Sequence, residues 1–229
     1  MSERKFDRIE FVITYACTGN CKHCSQGEHN DKRVIDADAA ADAVYRITDK
    51  YDIKSLMTFG GEALIYPDMV CKIHTAARNV EIEKRQLITN GFFSRDTEYI
   101  KETVRSLKES GINDLLLSAD AFHEEYIPLE YVRIFARECL EKDIPTRLNP
   151  AWLGSYDADN PYNKRTREIV KEFTDMGIPE GCGNIVFPKG NALKYFPEYF
   201  DGSQFDPYED DSTICFDPAS DIEGVLSQI

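Results

Sequence analysis

The chain has 229 residues, 42% of them apolar, and its 41 acidic and 27 basic residues give a formal net charge of −14. This length suits one α/β domain with its own core, and no apolar run approaches the ~20 residues that a membrane-spanning helix needs. Because nucleic-acid-binding surfaces are basic, the negative charge excludes nucleic acid as an expected partner. Seven cysteines without a regular pairing pattern, and no signal peptide, indicate free thiols and a cytoplasmic protein.

Short apolar runs alternate with longer amphipathic stretches, which is the pattern of repeated βα units. The predicted strands are residues 9–15, 55–59, 85–89, 114–118, 146–149 and 184–187. The predicted helices are residues 36–50, 67–79, 97–110, 129–142 and 164–176. Six units are too few to close an eight-unit barrel, so we predict an α/β fold, a partial (β/α)6 TIM-like barrel with a parallel sheet. Ligands are then expected at the carboxyl ends of the strands.

Three cysteines follow the first predicted strand with the spacing CxxxCxxC, at Cys17, Cys21 and Cys24. Three thiolates on one loop can converge on a soft metal centre such as zinc, copper(I) or an iron–sulfur cluster. Because a four-iron cluster usually takes four cysteines, three cysteines leave one iron open to another ligand. The alternative is a zinc site completed by His23, His29 or a distant cysteine, although the second CxxC or HxxxH pair typical of such sites is missing.

The loop resembles the cysteine motif of the radical S-adenosylmethionine (SAM) enzymes, which have an aromatic residue or histidine before the last cysteine, here His23. The resemblance implies that Cys17, Cys21 and Cys24 hold a 4Fe–4S cluster and that SAM binds the fourth iron through its amino and carboxylate groups. It also implies that an electron, from a reductant such as flavodoxin or ferredoxin, cleaves SAM. The resulting 5′-deoxyadenosyl radical would take a hydrogen atom from the substrate.

A glycine pair and a carboxylate, Gly60, Gly61 and Glu62, follow the second predicted strand. By itself this is a tight turn that lets backbone approach a ligand closely. The run resembles the GGE motif of the same family, in which the backbone and the acidic side chain bind the amino group of SAM. Asn90 follows the third predicted strand and either lines the SAM or substrate cavity or serves only the turn.

Polar residues also end the fourth predicted strand, where Ser118 and Asp120 are followed by His123. The resemblance gives Ser118 the role of contacting the ribose or carboxylate of SAM. Asp120 is predicted to face the substrate or to cap the helical turn that follows it. His123 and Glu124 are candidates for proton transfer, because burial can tune either group, and the alternative for His123 is a solvated loop position.

Arg147 and Asn149 alternate with Leu148 on the fifth predicted strand, so both side chains are expected on the same side of the sheet. The resemblance implies that Arg147 clamps the SAM carboxylate and that both residues line the cavity. A guanidinium in an apolar strand needs an anionic partner, and Asp120 or Glu62 is the alternative to SAM.

The sixth predicted strand contains Ile185 and Phe187, where many relatives have a Gly-rich motif that contacts adenine. The resemblance implies that one of these side chains packs on the adenine ring of SAM. The match is partial, because Lys189 is an unusual insertion and the trailing glutamate of the family is absent.

The chain divides into a predicted core, residues 1–200, and an acidic connector or tail, residues 201–229. In relatives with SPASM or twitch domains, cysteines after the barrel bind auxiliary clusters, so Cys182 and Cys215 suggest the start of such an extension. Residues 201–212 are acidic and lack apolar periodicity, and we expect them to be disordered without a partner.

These patterns predict a radical SAM enzyme that acts on a peptide or protein, by likeness to barrel cores that precede auxiliary-cluster domains. A small-molecule enzyme and a glycyl-radical-enzyme activase are alternatives within the same family. A different class is a non-catalytic module that keeps a cluster or zinc for stability and binds a peptide. The expected partners are SAM, the substrate and the reductant, with no nucleic acid and no membrane.

Overall fold

The computed structural model describes residues 5–200 and 212–229. The strands are β1 (Arg8–Val12), β2 (Ser55–Phe59), β3 (Lys84–Thr89), β4 (Asp114–Leu117), β5 (Thr146–Leu148), β6 (Ala151–Trp152), β7 (Asn184–Ile185) and β8 (Thr213–Phe216). The helices are α1 (Ala37–Thr48), α2 (Pro67–Asn79), α3 (Thr97–Ser110), α4 (Ala121–Glu124), α5 (Leu129–Glu141), α6 (Pro161–Asp175), α7 (Asn191–Tyr195) and α8 (Ile222–Leu226). Across the described ranges, no helix is both long and apolar enough to cross a membrane.

Six strands form one parallel sheet in the order β5-β4-β3-β2-β1-β8. The helices between them pack side by side in the sequence α1, α2, α3 and α5. Parallel strands joined by helices on one face are the architecture of an α/β barrel. The predicted fold class, a partial TIM-like barrel, is therefore confirmed.

Side chains on the two faces of the sheet differ in polarity, and β1 shows the rule. Ile9 and Phe11 are fully buried in the main core, whereas Arg8 and Glu10 point to the other face and are partly exposed. Successive residues of a strand point to opposite faces, so the apolar side chains lie under the helices and the polar ones line the inner face. The inner face of this open barrel is thus available for polar contacts.

Helix ends are fixed by local signals that the sequence contains. The carboxylates of Asp36 and Asp96 accept backbone N–H groups in the first turns of α1 and α3. Pro67 occupies the first turn of α2, as predicted, and Gly111 ends α3 with a φ of 92°. Side-chain caps of this kind stabilise a helix by about 1 kcal/mol each.

The fifth predicted strand, residues 146–149, corresponds to β5, and a short break separates it from β6. Pro150 lies at the interruption and has no N–H to donate to a neighbouring strand. Beyond it, β6 pairs with β7 in a separate two-stranded sheet, with Ala151 opposite Asn184. The sixth predicted strand, residues 184–187, is therefore shorter than expected and lies outside the six-stranded sheet.

The sixth strand of the main sheet is instead β8, from a part of the chain that we expected to be a connector or tail. Its residues Ile214 and Phe216 are buried, and the Phe216 ring stacks on Phe11 with centroids 5.3 Å apart. The strand and helix formed within residues 213–226 belong to the same core as β1. The disorder expected for residues 201–212 concerns positions that, apart from Ser212, lie outside the described residues.

A hydrogen-bonded group, which we call the amino-end network, joins the amino-terminal halves of four strands on the inner face. It consists of Arg8, Glu10, Gln86, Asp114 and Arg147. Arg8 donates to Glu10 at 2.6 Å and to Gln86 at 2.7 Å, and Gln86 donates to Asp114 at 2.7 Å. Arg147 donates twice to the Asp114 carboxylate, both times at 3.0 Å. Charged and polar groups at this end of the sheet therefore satisfy one another.

Candidate active site

A cavity of about 250 Å³ opens at the carboxyl ends of the strands. It is lined by most of the predicted site residues, namely Cys17, Cys21, His23, Cys24, Gly60, Gly61, Asn90, Ser118, Asp120, His123, Asn149, Ile185 and Phe187. Positions far apart in the chain meet there because parallel strands place their carboxyl ends on one edge. Two predicted residues, Glu62 and Arg147, do not line the cavity.

The cysteine loop, residues 17–27, follows β1 and carries the three thiols. Cys21 is only 6% exposed, and Cys17 and Cys24 are half-buried. The loop is held by short-range bonds, including the Cys24 N–H to the Cys21 carbonyl at 3.1 Å and the Gly19 N–H to the Cys17 sulfur at 3.4 Å. Three thiols on one short loop thus face one cavity.

Burial disfavours the charged form of two of these thiols. It raises the pKa of Cys17 to about 12 and also raises the pKa of Cys21. Burial acts in the same direction on Cys24, but His29, whose Nε2 lies 3.5 Å from the sulfur, and the backbone N–H groups of Gln26 and Gly27 together lower that pKa. His29 is oriented by the bond between its Nδ1 and the Tyr15 carbonyl, at 2.8 Å. A cationic metal centre would offset the cost of three buried thiolates.

The glycine pair at the end of β2 packs directly against the backbone that leads into the cysteine loop. The Gly61 N–H donates to the Thr14 carbonyl at 2.8 Å, and the next N–H, that of Glu62, donates to the Ala16 carbonyl at 2.8 Å. A Cβ on Gly60 would lie 2.5 Å from the Thr14 oxygen, and a Cβ on Gly61 would collide with the Ala16 oxygen. Both positions therefore require glycine for close backbone approach.

The Glu62 carboxylate is turned into the protein, which differs from the expected contact with SAM. It is 1% exposed and accepts hydrogen bonds from the Thr89 hydroxyl at 2.7 Å, the Asn90 N–H at 2.7 Å and the Leu64 N–H at 2.8 Å. Burial raises the pKa of Glu62 to about 7, although these donors oppose the shift. The Glu62 side chain connects the end of β2 to the end of β3 by hydrogen bonds, so it supports the cavity wall without lining the cavity.

Asn90 serves the turn and also holds the cysteine loop. Its side-chain oxygen accepts from the Phe92 N–H at 2.8 Å, the bond expected of a turn residue. Its Nδ2 donates to the Thr18 hydroxyl at 3.2 Å and lies 3.8 Å from the Cys17 sulfur. Both interpretations of Asn90 are therefore compatible with its position at the cavity wall.

Asp120 and His123 form a buried pair at the start of α4. Asp120 Oδ1 accepts from the backbone of Phe122 and His123 and from His123 Nδ1 at 2.8 Å, while Oδ2 accepts from the Ala151 N–H at 3.0 Å. Burial alone would raise the pKa of Asp120, but the charge and hydrogen bond of His123 lower it. Burial likewise opposes the charged form of His123, but Asp120 raises its pKa. Asp120 caps the helical turn, as one of its two predicted roles required.

His23 lies beside this pair. Its ring centroid is 5.0 Å from that of His123 and 4.7 Å from that of Phe122. Burial lowers the pKa of His23 to about 4, so the ring is neutral at pH 7, and its Nδ1 is buried without a partner among the described residues. Polar atoms of His23, Asp120 and His123 lie within 4.8 Å of one another. A buried nitrogen of this kind is a candidate contact for a ligand.

Arg147 does not line the cavity, and its anionic partner is neither of the two acidic residues that we expected. Its guanidinium belongs to the amino-end network and pairs with Asp114, not with Asp120 or Glu62. Asn149, two residues later, does line the cavity. Arg147 lies within β5 and Asn149 just beyond its end, and two residues correspond to about 7 Å along a strand, which separates the two ends of the sheet.

Sequence reasoning gave too little weight to two residues that touch the cysteine loop. His29 was considered only as a zinc ligand, yet it contacts Cys24 and lines the cavity. Asn191 was not singled out, although it donates to the carbonyl oxygens of Cys21 and Gly27. A histidine five residues after Cys24 is visible in the local sequence. The contact of Asn191 with Cys21, 170 residues away, has no local sequence signal.

The residues present fit a 4Fe–4S cluster and SAM. Three convergent thiols supply three ligands and leave one coordination position open, which is the donor set of a cluster with one accessible iron. The glycine pair lines the same cavity with backbone alone, and His23 Nδ1 is a buried polar atom without a partner in the described part of the chain. Parallel barrel, thiol loop and glycine turn together define a partial-barrel cluster enzyme.

A family model of the Radical SAM superfamily matches residues 11–201, and the chain belongs to this superfamily. Its members are enzymes that use a 4Fe–4S cluster and SAM. The relatives include a probable GTP 3′,8-cyclase of Saccharolobus solfataricus, 24% identical over 215 residues, which are 86% of this chain and 66% of the relative. The corresponding protein of Sulfolobus acidocaldarius is 25% identical over 116 residues, 50% of this chain and 34% of the relative.

Solved structures show the same fold at low sequence identity. Streptococcus suis SuiB bound to its precursor peptide SuiA has a TM-score of 0.59 and 17% identity, over 76% of this chain and 38% of that one. Native anSMEcpe with bound AdoMet and the Cp18Cys peptide has a TM-score of 0.56 and 15% identity, over 79% of this chain and 51% of that one. The chain spans about two thirds of the Saccharolobus relative and about half or less of the other three proteins.

Proposed function

We propose that this protein cleaves SAM reductively and uses the product to remove a hydrogen atom from an organic substrate. The observation that carries the proposal is the placement of three thiols and the glycine turn around one cavity. When bound, the cluster and SAM supply one-electron cleavage of SAM to methionine and a 5′-deoxyadenosyl radical, which gains a hydrogen atom from the substrate. The electron comes from an external reductant such as flavodoxin or ferredoxin.

The residues of the cavity divide into groups with different tasks. Cys17, Cys21 and Cys24 hold the cluster, and His23 packs beside it. The backbone of Gly60 and Gly61 lines the same cavity and is proposed to approach the amino group of SAM, while the absence of a Cβ lets this turn pack against Thr14 and Ala16. Glu62 and Asn90 fix this wall through the hydrogen bonds described above.

Ser118 and Asn149 are proposed to contact the polar groups of SAM or substrate. Both line the cavity, and among the described residues neither side chain has a hydrogen-bond partner. Ile185 and Phe187 are proposed to pack on the adenine ring, since they form an apolar part of the same wall. Apolar walls with a few placed polar groups are typical of cofactor sites.

His123, oriented by Asp120, is proposed to transfer a proton to or from the substrate after hydrogen abstraction. Its Nδ1 is bound to Asp120, which leaves Nε2 for a ligand in the cavity that the ring lines. Asp120 raises the pKa of His123, so the imidazolium form persists to higher pH than in an isolated histidine. A positioned histidine of this kind is a common general acid or base.

A peptide or protein substrate is favoured by the chemistry of the cavity. Its polar lining consists of thiols, amides, hydroxyls and imidazoles with one carboxylate, Asp120, and the rest of the described lining is apolar or glycine. Side-chain amides such as those of Asn149 and Asn184 match the donor and acceptor of a peptide bond. The peptide-bound structures of SuiB and anSMEcpe share the fold, which is consistent with this assignment.

A small-molecule substrate is the second candidate, and the sequence similarity to probable GTP 3′,8-cyclases favours it. A nucleoside triphosphate carries several negative charges and is normally bound by Arg, Lys or a metal. Asp120 lies in the described lining, where a triphosphate would need cations, so we rank this candidate below a peptide. A glycyl-radical-enzyme activase and a non-catalytic peptide-binding module remain further alternatives.

Electron paramagnetic resonance tests the central proposal. The protein is reconstituted anaerobically with iron and sulfide, reduced with dithionite, and measured before and after SAM is added. We expect the signal of a reduced 4Fe–4S cluster whose shape changes with SAM. A protein that binds stoichiometric zinc and gives no cluster signal would instead be the non-catalytic module.

The substrate class is tested separately by the yield of 5′-deoxyadenosine from reduced, cluster-loaded protein. GTP is compared with SAM alone, and peptides encoded by neighbouring genes are compared in the same way. We expect GTP to leave the yield unchanged and a peptide to raise it in step with product. A yield that rises with GTP, together with loss of GTP, would favour the cyclase.

A further inference from the structure

Asn191, at the start of α7, is hydrogen-bonded to three carbonyl oxygens of the cysteine loop. Its backbone N–H donates to Cys24 at 2.9 Å, and its side-chain Nδ2 donates to Cys21 at 3.1 Å and to Gly27 at 3.4 Å. The Asn191 side chain is only 6% exposed, so water competes little for these carbonyl groups. Asn191 therefore binds the loop at Cys21 and Cys24, the second and third cysteines, and at Gly27.

The preceding residue, Gly190, permits this approach. Its φ is +60°, and a Cβ built on it would lie 2.5 Å from the Ser25 carbonyl oxygen and 2.6 Å from that of Cys24. Backbone oxygens at such distances leave no room for a side chain. Gly190 and Asn191 together bring the start of α7 into direct contact with the backbone of the loop.

Side-chain bonds of Lys22 to Glu125 and Tyr162 and of Cys24 to His29 also hold this part of the loop, but few other backbone bonds do. Within it, the Cys24 N–H donates to the Cys21 carbonyl and the Gly27 N–H donates to the Cys24 carbonyl. The Cys21 and Cys24 carbonyls therefore accept a second hydrogen bond from Asn191, whereas the Gly27 carbonyl accepts from Asn191 Nδ2. Each hydrogen bond contributes about 1 kcal/mol. The bonds from Asn191 are therefore a large share of what orders the loop between Cys21 and Gly27.

We propose that Asn191 is a positioning residue, which holds the cysteine loop in the conformation that turns its three thiols toward one cavity. Asn191 does not line the cavity and acts through the loop carbonyls. This inference rests on the proposed function for its consequence, which is retention of the cluster. The positioning itself can be measured in protein without a cluster.

The first test compares Asn191→Asp with wild type in cluster-free protein. Aspartate has nearly the same size but loses both N–H donors and sets a carboxylate against carbonyl oxygens. Alkylation of Cys21 by iodoacetamide is followed by mass spectrometry. We expect it to be about tenfold faster than in wild type, which corresponds to a free-energy difference of about 1.4 kcal/mol for exposing the thiol. Cys139, fully buried in α5, is the internal reference and keeps its rate.

Asn160→Asp is the matched control. Asn160 is 7% exposed, and its Nδ2 donates to the Leu153 carbonyl at 3.2 Å, away from the cysteine loop. Aspartate at this position still caps α6 and loses one similar bond. We expect Cys21 in this variant to react at the wild-type rate.

In cluster-loaded protein, we expect Asn191→Asp to release iron to a chelator about tenfold faster than wild type, by the same free-energy difference. The reduced cluster should also show a weaker change in its paramagnetic resonance signal on addition of SAM. Asn160→Asp should match wild type in both measurements.

The inference is overturned if Cys21 in folded Asn191→Asp reacts at the wild-type rate, or if it reacts equally fast in Asn160→Asp. Where Asn191→Asp does not fold, Asn191→Ser replaces it, since serine keeps the backbone bond to Cys24 and removes the amide. A wild-type rate in that variant also overturns the inference. Faster alkylation of Cys21 in a protein that binds no cluster would support the positioning role while refuting the proposed enzyme function.

Discussion

The two ends of the parallel sheet differ in whether their polar side chains are hydrogen-bonded to other residues. At the amino-terminal end, Arg147 and Asp114 satisfy each other within the amino-end network. At the carboxyl-terminal end, Ser118 and Asn149 line the cavity with no partner among the described residues. Because polar groups in a protein normally find partners, the unpaired ones mark the end that binds ligands. The network end is a stabilising element, and the cavity end is a site.

The largest expected effect is at the cavity end, from Cys21→Ala. Removing one of three ligands should abolish the 4Fe–4S cluster, and 5′-deoxyadenosine should become undetectable in the presence of dithionite and SAM. Cys139→Ala, in the core of α5, is the control and should keep both cluster and cleavage. Iron analysis and product chromatography check the result, and cleavage by the Cys21 variant would refute the assignment of the ligand.

His123→Gln should lower product formation by about 10²- to 10⁴-fold, the usual contribution of a general acid or base. Binding of SAM, measured by calorimetry, should change little, because the proposed role of His123 concerns the substrate. His74→Gln is the control, since His74 is a buried histidine bound to Thr58 and does not line the cavity. Equal losses in both variants would indicate a structural effect only.

Glu62 is buried at the cavity end of the sheet, and its contribution to the free energy of unfolding should depend on pH. Burial raises its pKa from 4.5 to about 7, so between these values the folded protein holds a proton that the unfolded chain has lost. The free energy of unfolding should therefore fall as pH rises through this range, by up to about 3 kcal/mol. Urea denaturation of wild type and Glu62→Gln at pH 5 and 7.5 checks this. A difference between the two proteins that is constant with pH would show that Glu62 does not titrate in this window.

Asp114→Asn tests the amino-terminal end. It keeps the shape of the side chain and removes the charge that pairs with Arg147, and both groups are partly exposed. We expect the free energy of unfolding to fall by about 1 to 2 kcal/mol, while the affinity for SAM stays unchanged. Denaturation and SAM titration measure the two quantities. A weaker affinity for SAM without loss of stability would mean that the two ends are not separate in function.

Asn149→Ala should have the smallest effect. In contrast to Asp114→Asn, it should weaken ligand binding and leave stability unchanged. Loss of one hydrogen bond to SAM or substrate should weaken ligand binding about tenfold, or about 1.4 kcal/mol. Stability should change little, because the Asn149 side chain bonds to none of the described residues. Titration of cluster-loaded protein with SAM and with substrate measures the affinity. An unchanged affinity for both would remove Asn149 from the site.

The features that the sequence predicted well are local ones. Spacing within one loop placed Cys17, Cys21 and Cys24 together, and apolar runs located the strands that present them. Arg147 and Asn149 show the limit, because alternation defines the face of a strand but not which end of the sheet a ligand occupies. Glu62 shows another limit, since the donors that turn its carboxylate inward come mainly from a different strand.

The missed strand, β8, has a related physical explanation. Ile214 and Phe216 alternate with Thr213 and Cys215, which is the pattern of a half-buried strand. The run is only four residues long and follows an acidic stretch, so its local signal is weak. Its stability depends on pairing with β1, and that pairing is not visible in the order of residues.

The pairing of β8 with β1 also sets an order of events during synthesis. β1 leads directly into the cysteine loop, yet its second neighbour leaves the ribosome about 200 residues later. Contacts so distant in sequence form late and slowly. On a nascent chain the strand that carries the cysteine loop is a sheet edge, and it becomes an interior strand only when residues 213–216 arrive. The strand that leads into the cysteine loop is therefore paired on both sides only after β8 has been translated.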